Sequence, residues 1–129
     1  MGIVIEGRVL VGGHAEAAAL VLDEPLSFWG GLDPATGRIV DVRHPRHGAV
    51  VTGRILVMPS GRGSSSSATV LAESIRLGTA PAGVMLREPD EILAIGALVA
   101  EELYGKTVPI VAVEDDVYGS IGDGQVLML

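Results

Sequence analysis

The sequence predicts an α/β fold, β-rich in its first half and β-α-β-α-β after it. Three observations carry that reading. The apolar run Ile55-Leu56-Val57-Met58 stops at a glycine- and serine-rich stretch that leads straight into a helical pattern, so a strand, a turn and a helix N-terminus follow in that order. Ala82-Gly83-Val84-Met85-Leu86 and Val108-Pro109-Ile110-Val111-Ala112-Val113 are short apolar runs of the kind that form buried strands, and each adjoins a helical segment. Before Val50 the chain holds only short strand patterns separated by turn signals.

Taken in order, Ile3-Val4-Ile5 and Arg8 to Val11 read as one first strand ending at Gly12-Gly13, and Ala17 to Leu22 as a second, closed by Asp23-Glu24-Pro25. Leu26 to Leu32 is ambiguous; it holds the only Phe and the only Trp beside two glycines, which suits a strand end packed against something large. Asp33-Pro34-Ala35-Thr36-Gly37 is a turn, Arg38 to Val42 continues as a strand, and His44-Pro45-Arg46-His47-Gly48 is a loop. Val50 to Met58 reads as a strand interrupted at Gly53. Ala68, Leu71, Ala72 and Ile75 then recur at i, i+3, i+4 and i+7, one apolar face of a helix that Gly78 and Pro81 terminate. Glu88-Pro89-Asp90-Glu91 opens a second helix, with proline and acids where the helix dipole favours them. That helix runs from Ile92 to about Tyr104 and is apolar nearly all round, which predicts burial on most sides. Gly105 ends it, and Gln125 to Leu129 forms a last short strand.

A chain of 129 residues, 48% hydrophobic and 19% charged, has the size and composition of one folded domain spanning 1–129. Its net charge of −7 supplies no basic stripe for phosphates, which argues against nucleic acid as a partner. No stretch approaches the ~20 apolar residues of a membrane span. The start Met1-Gly2-Ile3-Val4-Ile5-Glu6 lacks a basic leader, so the cytoplasm is the expected location. With no cysteine, the chain forms no disulfide and ligates no iron–sulfur cluster by itself; a centre of that kind has to come from another chain.

The candidate site is Pro59-Ser60-Gly61-Arg62-Gly63-Ser64-Ser65-Ser66-Ser67. Gly61 and Gly63 allow positive φ or close approach to a ligand, and the serines suit a helix N-terminus, whose first amides lack partners. Free N–H groups, hydroxyls and the Arg62 guanidinium gathered at one point hold an anion. A surface loop with a simple cap fits the bare pattern as well, but it fits less well the tight placement between a buried strand and an amphipathic helix. The stretch is not a P-loop, since the Gly-Lys-Ser/Thr ending is missing, nor a dinucleotide fingerprint. His14, His44 and His47 read as solvated loop residues. Asp115, Asp116 and Asp123 are explained by turn chemistry around Gly119, Gly122 and Gly124 as well as by a cation, so no metal site is assigned.

The serine turn resembles the signature of the small subunit of aconitase X-type dehydratases. The resemblance extends to Pro25-Leu26-Ser27-Phe28-Trp29-Gly30-Gly31, the Asp33–Gly37 turn, Ala80-Pro81-Ala82-Gly83 and Ile92-Leu93-Ala94-Ile95-Gly96-Ala97, in that order. It implies a swivelling β/β/α domain like the mobile domain of aconitase, closing over a large subunit that carries an iron or iron–sulfur centre and most substrate groups. No cofactor is then expected on this chain, which is expected to be inactive alone. Ser65-Ser66-Ser67-Ala68 after the first serine, and the tail ending Glu101-Glu102-Leu103-Tyr104-Gly105, are more similar to the bacterial cis-3-hydroxy-L-proline dehydratase branch than to archaeal phosphomevalonate dehydratases.

The mechanism the resemblance implies is a dehydration. Ser64 is the base that takes the substrate's α-proton, and Arg62, Gly63 and Ser65 bind the carboxylate or shape the oxyanion pocket. A serine hydroxyl does this only where donors stabilise its alkoxide in a closed site. Two other readings stay open: the small subunit of a phosphomevalonate dehydratase, and a non-catalytic anion-binding module. In the structural reading, Ser64 is a plain helix N-cap.

Overall fold

The computed structural model describes residues 2–129. Thirteen elements follow one another: β1 (Ile3–Val4), β2 (Arg8–Val11), β3 (Glu16–Val21), the kinked helical turn α1 (Phe28–Gly31), β4 (Leu32–Asp33), β5 (Arg38–Ile39), β6 (Ile55–Met58), α2 (Ser66–Leu77), β7 (Gly83–Leu86), α3 (Glu91–Tyr104), β8 (Ile110–Ala112), α4 (Asp115–Gly119) and β9 (Val126–Met128). The α/β class and the β-α-β-α-β order of the second half are as expected from sequence.

Seven strands form one mixed sheet in the order β1-β9-β3-β6-β7-β8-β2. Its centre, β3-β6-β7-β8, is parallel, with Ala19 opposite Ile55, Ile55 opposite Gly83, and Val84 opposite Ile110. β2 adds antiparallel to β8 and β9 antiparallel to β3. The edge strands β1 and β2 are separated in the chain only by residues 5–7. Those few residues reach at most about 14 Å, whereas six flat interstrand spacings would hold the edges about 29 Å apart. The sheet is therefore curled. This corrects the expectation of a single first strand: the two halves of Ile3–Val11 pair with opposite ends of the sheet, and Gly7 between them lies against the Ala112 carbonyl, where a side chain has no room.

Alternation along the parallel strands divides the core in two. Leu56, Met58, Val84 and Leu86 face the helices and join Leu71, Ile75, Leu93, Ala97 and Ala100. Ile55, Val57 and Met85 face the other side with Ile5, Val111, Val113 and Leu127. α2 and α3 pack on each other at Gly96, whose missing side chain admits the Ala68 backbone. Both helices end as predicted, on left-handed Gly78 (φ +78°) and Gly105 (φ +67°).

Four other expectations change. Val50 to Arg54 is a turn rather than strand, because Gly53 takes φ +70° and Arg54 N–H closes onto the Val51 carbonyl. Likewise only Arg38–Ile39 of the expected Arg38–Val42 strand is paired as one, with β4. Leu26–Leu32 buries Phe28 but turns Trp29 outward, 59% exposed, since Gly30 at φ +81° kinks the chain. α3 is not buried on most sides: Ile95, Leu98, Val99 and Leu103 are exposed, because Leu93, Ala97 and Ala100 meet the core from one face and Gly96 meets α2. Among the described residues, no helix is long and apolar enough to cross a membrane.

Candidate active site

Three segments that leave the carboxyl ends of neighbouring parallel strands meet at one cavity of about 200 Å³. Leu26 and Phe28 follow β3, Gly61 to Ser64 and Ser67 follow β6, and Asp90, Ile92 and Leu93 follow β7. This is where open parallel sheets place ligands, because loops and helix N-termini converge there. A bridge between Leu26 and Gly61 prolongs the β3–β6 pairing to the cavity's rim. The Pro59 carbonyl accepts from the N–H groups of Arg87 and Glu88, tying the turn after β6 to the turn after β7.

The serine turn uses its two glycines differently. Gly63 takes φ +96°, and a side chain there would also meet Ser27 Oγ at 2.7 Å. Gly61 instead lies directly under the carboxylate of Asp90, in space no side chain could share.

Ser64 directly precedes Ser65, the N-cap residue of α2. The Ser64 carbonyl accepts from Ser67 N–H at 3.0 Å, and its Oγ accepts from Ser66 N–H at 3.1 Å. The hydroxyl thus takes up an amide of the first turn of α2 on a residue that lines the cavity, and an N–H aimed at Oγ favours its deprotonated form. Ser67 Oγ, on a buried residue, accepts from Trp29 N–H at 3.2 Å and fixes α1 against α2.

Arg62, Gly63 and Ser64 line the cavity together, and all three are exposed to solvent. Ser65 occupies the N-cap position of α2 but does not line the cavity. Sequence reasoning did not place Leu26, Phe28, Ile92 and Leu93 in the lining, and it missed one charged lining residue, Asp90, read only as one of the acids opening a helix. Asp90 is the N-cap of α3: Oδ1 accepts from Ile92 N–H at 2.9 Å and Leu93 N–H at 3.1 Å. The signal available in sequence was Asp90 directly after Pro89 at a helix start, which identifies a cap but not the cavity it borders.

Of the other polar groups singled out from sequence, His44 and Asp123 have structural partners. His44 is 7% exposed rather than solvated, a correction with a clear cause: Arg46 N–H donates to Nδ1 at 3.0 Å, which leaves Nε2–H to donate to the Glu24 carbonyl at 3.1 Å. His14 and His47 are exposed. Asp123 accepts from Val21 N–H at 3.0 Å and pairs with Arg46 and Arg54 at 3.4 and 3.9 Å. That backbone hydrogen bond, helped by the two guanidinium groups, holds its carboxyl below the usual aspartate range. Asp115 and Asp116 occupy the first turn of α4 rather than a simple loop. Among the described residues, no three His, Asp or Glu side chains gather closely enough to hold a metal ion.

A family model described as the aconitase X swivel domain matches residues 4–129. The chain is 52% identical over 103 residues to the cis-3-hydroxy-L-proline dehydratase of Pseudomonas aeruginosa, an alignment that covers 80% of this chain and 18% of that protein. It is 48% identical over 86 residues to the phosphomevalonate dehydratase small subunit of Methanopyrus kandleri, covering 67% of this chain and 64% of that one. In structure it resembles the aconitase X of Thermococcus kodakaraensis in its holo-form, with a TM-score of 0.85 and 32% identity over 95% of this chain and 88% of the other. The chain thus spans under a fifth of the length of the hydroxyproline dehydratases it matches.

Proposed function

The chain belongs to the aconitase X swivel-domain family, and from that premise we propose that it is the small subunit of a hydro-lyase acting on cis-3-hydroxy-L-proline. In this reading it closes over a large subunit, is inactive alone and contributes Ser64 as the base. The 52% identity to a hydroxyproline dehydratase supports the choice of substrate. The observation that carries the role of Ser64 is its place in the cavity lining with its Oγ held by Ser66 N–H at 3.1 Å.

In the proposed reaction Ser64 takes the α-proton. The electron pair of the Cα–H bond forms a double bond to C3, the C3–O bond breaks, and hydroxide leaves to be protonated to water. The enamine product then tautomerises to a pyrroline-2-carboxylate. Ser66 N–H stabilises the alkoxide, and Arg62 holds the substrate carboxylate. Gly63 lets the turn reach φ +96° at this point. Ser65, off the cavity wall, has its place in this scheme at the start of α2. Because Ser64 is exposed in this chain, exclusion of water falls to the large subunit. An iron or iron–sulfur centre on that subunit would supply Lewis-acid assistance to loss of the 3-hydroxyl.

A second reading, the small subunit of a phosphomevalonate dehydratase, is favoured by the 48% identity to a protein of that name. Assay of the chain, its large subunit and their mixture on both substrates separates the two. Dehydration of cis-3-hydroxy-L-proline by the mixture alone is expected, and dehydration of phosphomevalonate alone would overturn the proposal.

A further inference from the structure

We propose that Asp90 determines specificity at this site by binding the ring ammonium of a cyclic imino acid whose carboxylate lies toward Arg62. The inference rests on the function proposed above and adds the feature that selects its substrate.

Among the described residues, Arg62 and Asp90 are the only charged ones that line the cavity, and they are of opposite sign. No ion pair joins them among the described residues, so neither neutralises the other. An arginine and a carboxylate kept apart at one cavity match a ligand that carries both charges. The two oxygens of Asp90 are also used unequally. Oδ1 takes both amides of the α3 N-terminus. Oδ2 has no hydrogen-bond partner among the described residues and lies over Gly61 at the cavity wall. Two amides therefore fix the carboxylate while one oxygen stays available to accept from a cation.

The remaining wall suits the same ligand. Leu26, Phe28, Ile92 and Leu93 offer apolar contact for ring methylenes. A substrate whose charges are all negative would meet an unneutralised carboxylate at Oδ2, which disfavours it. Asp90 therefore selects an imino acid over a phosphorylated hydroxy acid.

The test uses the small subunit assembled with its large subunit, wild type and Asp90→Asn. Asparagine keeps an oxygen to cap α3 and removes the charge, so thermal stability should hold. Two competitive inhibitors are compared: L-proline, with a ring ammonium, and tetrahydrofuran-2-carboxylate, with a ring oxygen in its place. Asp90→Asn should raise KM for cis-3-hydroxy-L-proline and Ki for L-proline by about 10- to 100-fold, while Ki for the oxygen analogue changes by less than about threefold. Equal weakening of both inhibitors would reduce Asp90 to a structural cap, and no change in either would remove it from the site; each overturns the proposal. A wild-type complex that dehydrates phosphomevalonate and not cis-3-hydroxy-L-proline overturns the substrate reading itself, and the ammonium assignment with it.

Discussion

The carboxylate of Asp90 fills the space that a side chain on Gly61 would need. One residue follows β6 and the other follows β7, so this contact locks the serine turn to the start of α3 at the cavity wall. Asp90 cannot swing aside freely, because two α3 amides hold its Oδ1. Gly61→Ala should therefore destabilise the chain by about 1–3 kcal/mol, by displacing the cap or the turn. Thermal melts of Gly61→Ala, Asp90→Ser and the double variant check this. The losses should be less than additive, because the shorter serine relieves the collision.

The α2–α3 contact makes a second prediction. A glycine inside a helix normally costs stability, so Gly→Ala at an ordinary site gains roughly 0.5–1 kcal/mol. At Gly96 the new Cβ would stand 2.6 Å from the Ala68 carbonyl oxygen and 3.0 Å from its Cα, both backbone atoms. Gly96→Ala should lower stability by about 1–3 kcal/mol instead, as forced overpacking does. A rise in melting temperature would show that the helices separate without cost.

Asp123 predicts a pH dependence. Val21 N–H and then Arg46 and Arg54 lower its carboxyl pKa in the folded state. Its stabilisation is therefore complete above the ordinary aspartate pKa and is lost as pH falls through the lowered folded value. The side chain is 48% exposed, so water screens the interaction and its worth is about 1 kcal/mol or less. Asp123→Asn should melt at a lower temperature than wild type at neutral pH, and the gap should close on acidification below pH ~4. A gap that persists unchanged in acid would assign the loss to packing rather than charge.

Much of the site was legible in sequence because its signals are local. The apolar run into Gly61–Ser67, the helical period through Ile75, and Gly78 and Gly105 as helix ends each depend on a few adjacent residues. What was not legible depends on pairing at a distance. Nothing within Ile3–Val11 says that its halves join β9 and β8 at opposite ends of the sheet. The burial of His44 requires the Glu24 carbonyl, twenty positions away. α3 is so uniformly apolar that its sequence marks its inner face only weakly, and the packing of Leu93, Ala97 and Ala100 on the core and of Gly96 on Ala68 decides which face stays in solvent. Asp90 was visible as a cap, but its place beside Arg62 and Ser64 comes from the adjacency of β6 and β7.

Turnover of cis-3-hydroxy-L-proline by the assembled two-subunit enzyme carrying Ser64→Ala tests most directly whether Ser64 acts as the base. Loss of the capping hydroxyl should cost only about 1 kcal/mol of stability, so the variant should still fold and assemble. Its kcat should fall by about 10²- to 10⁴-fold, the range a positioned general base contributes. A folded, assembled Ser64→Ala enzyme that keeps kcat within a few-fold of wild type would contradict the account, leaving Ser64 a helix cap and placing the base elsewhere.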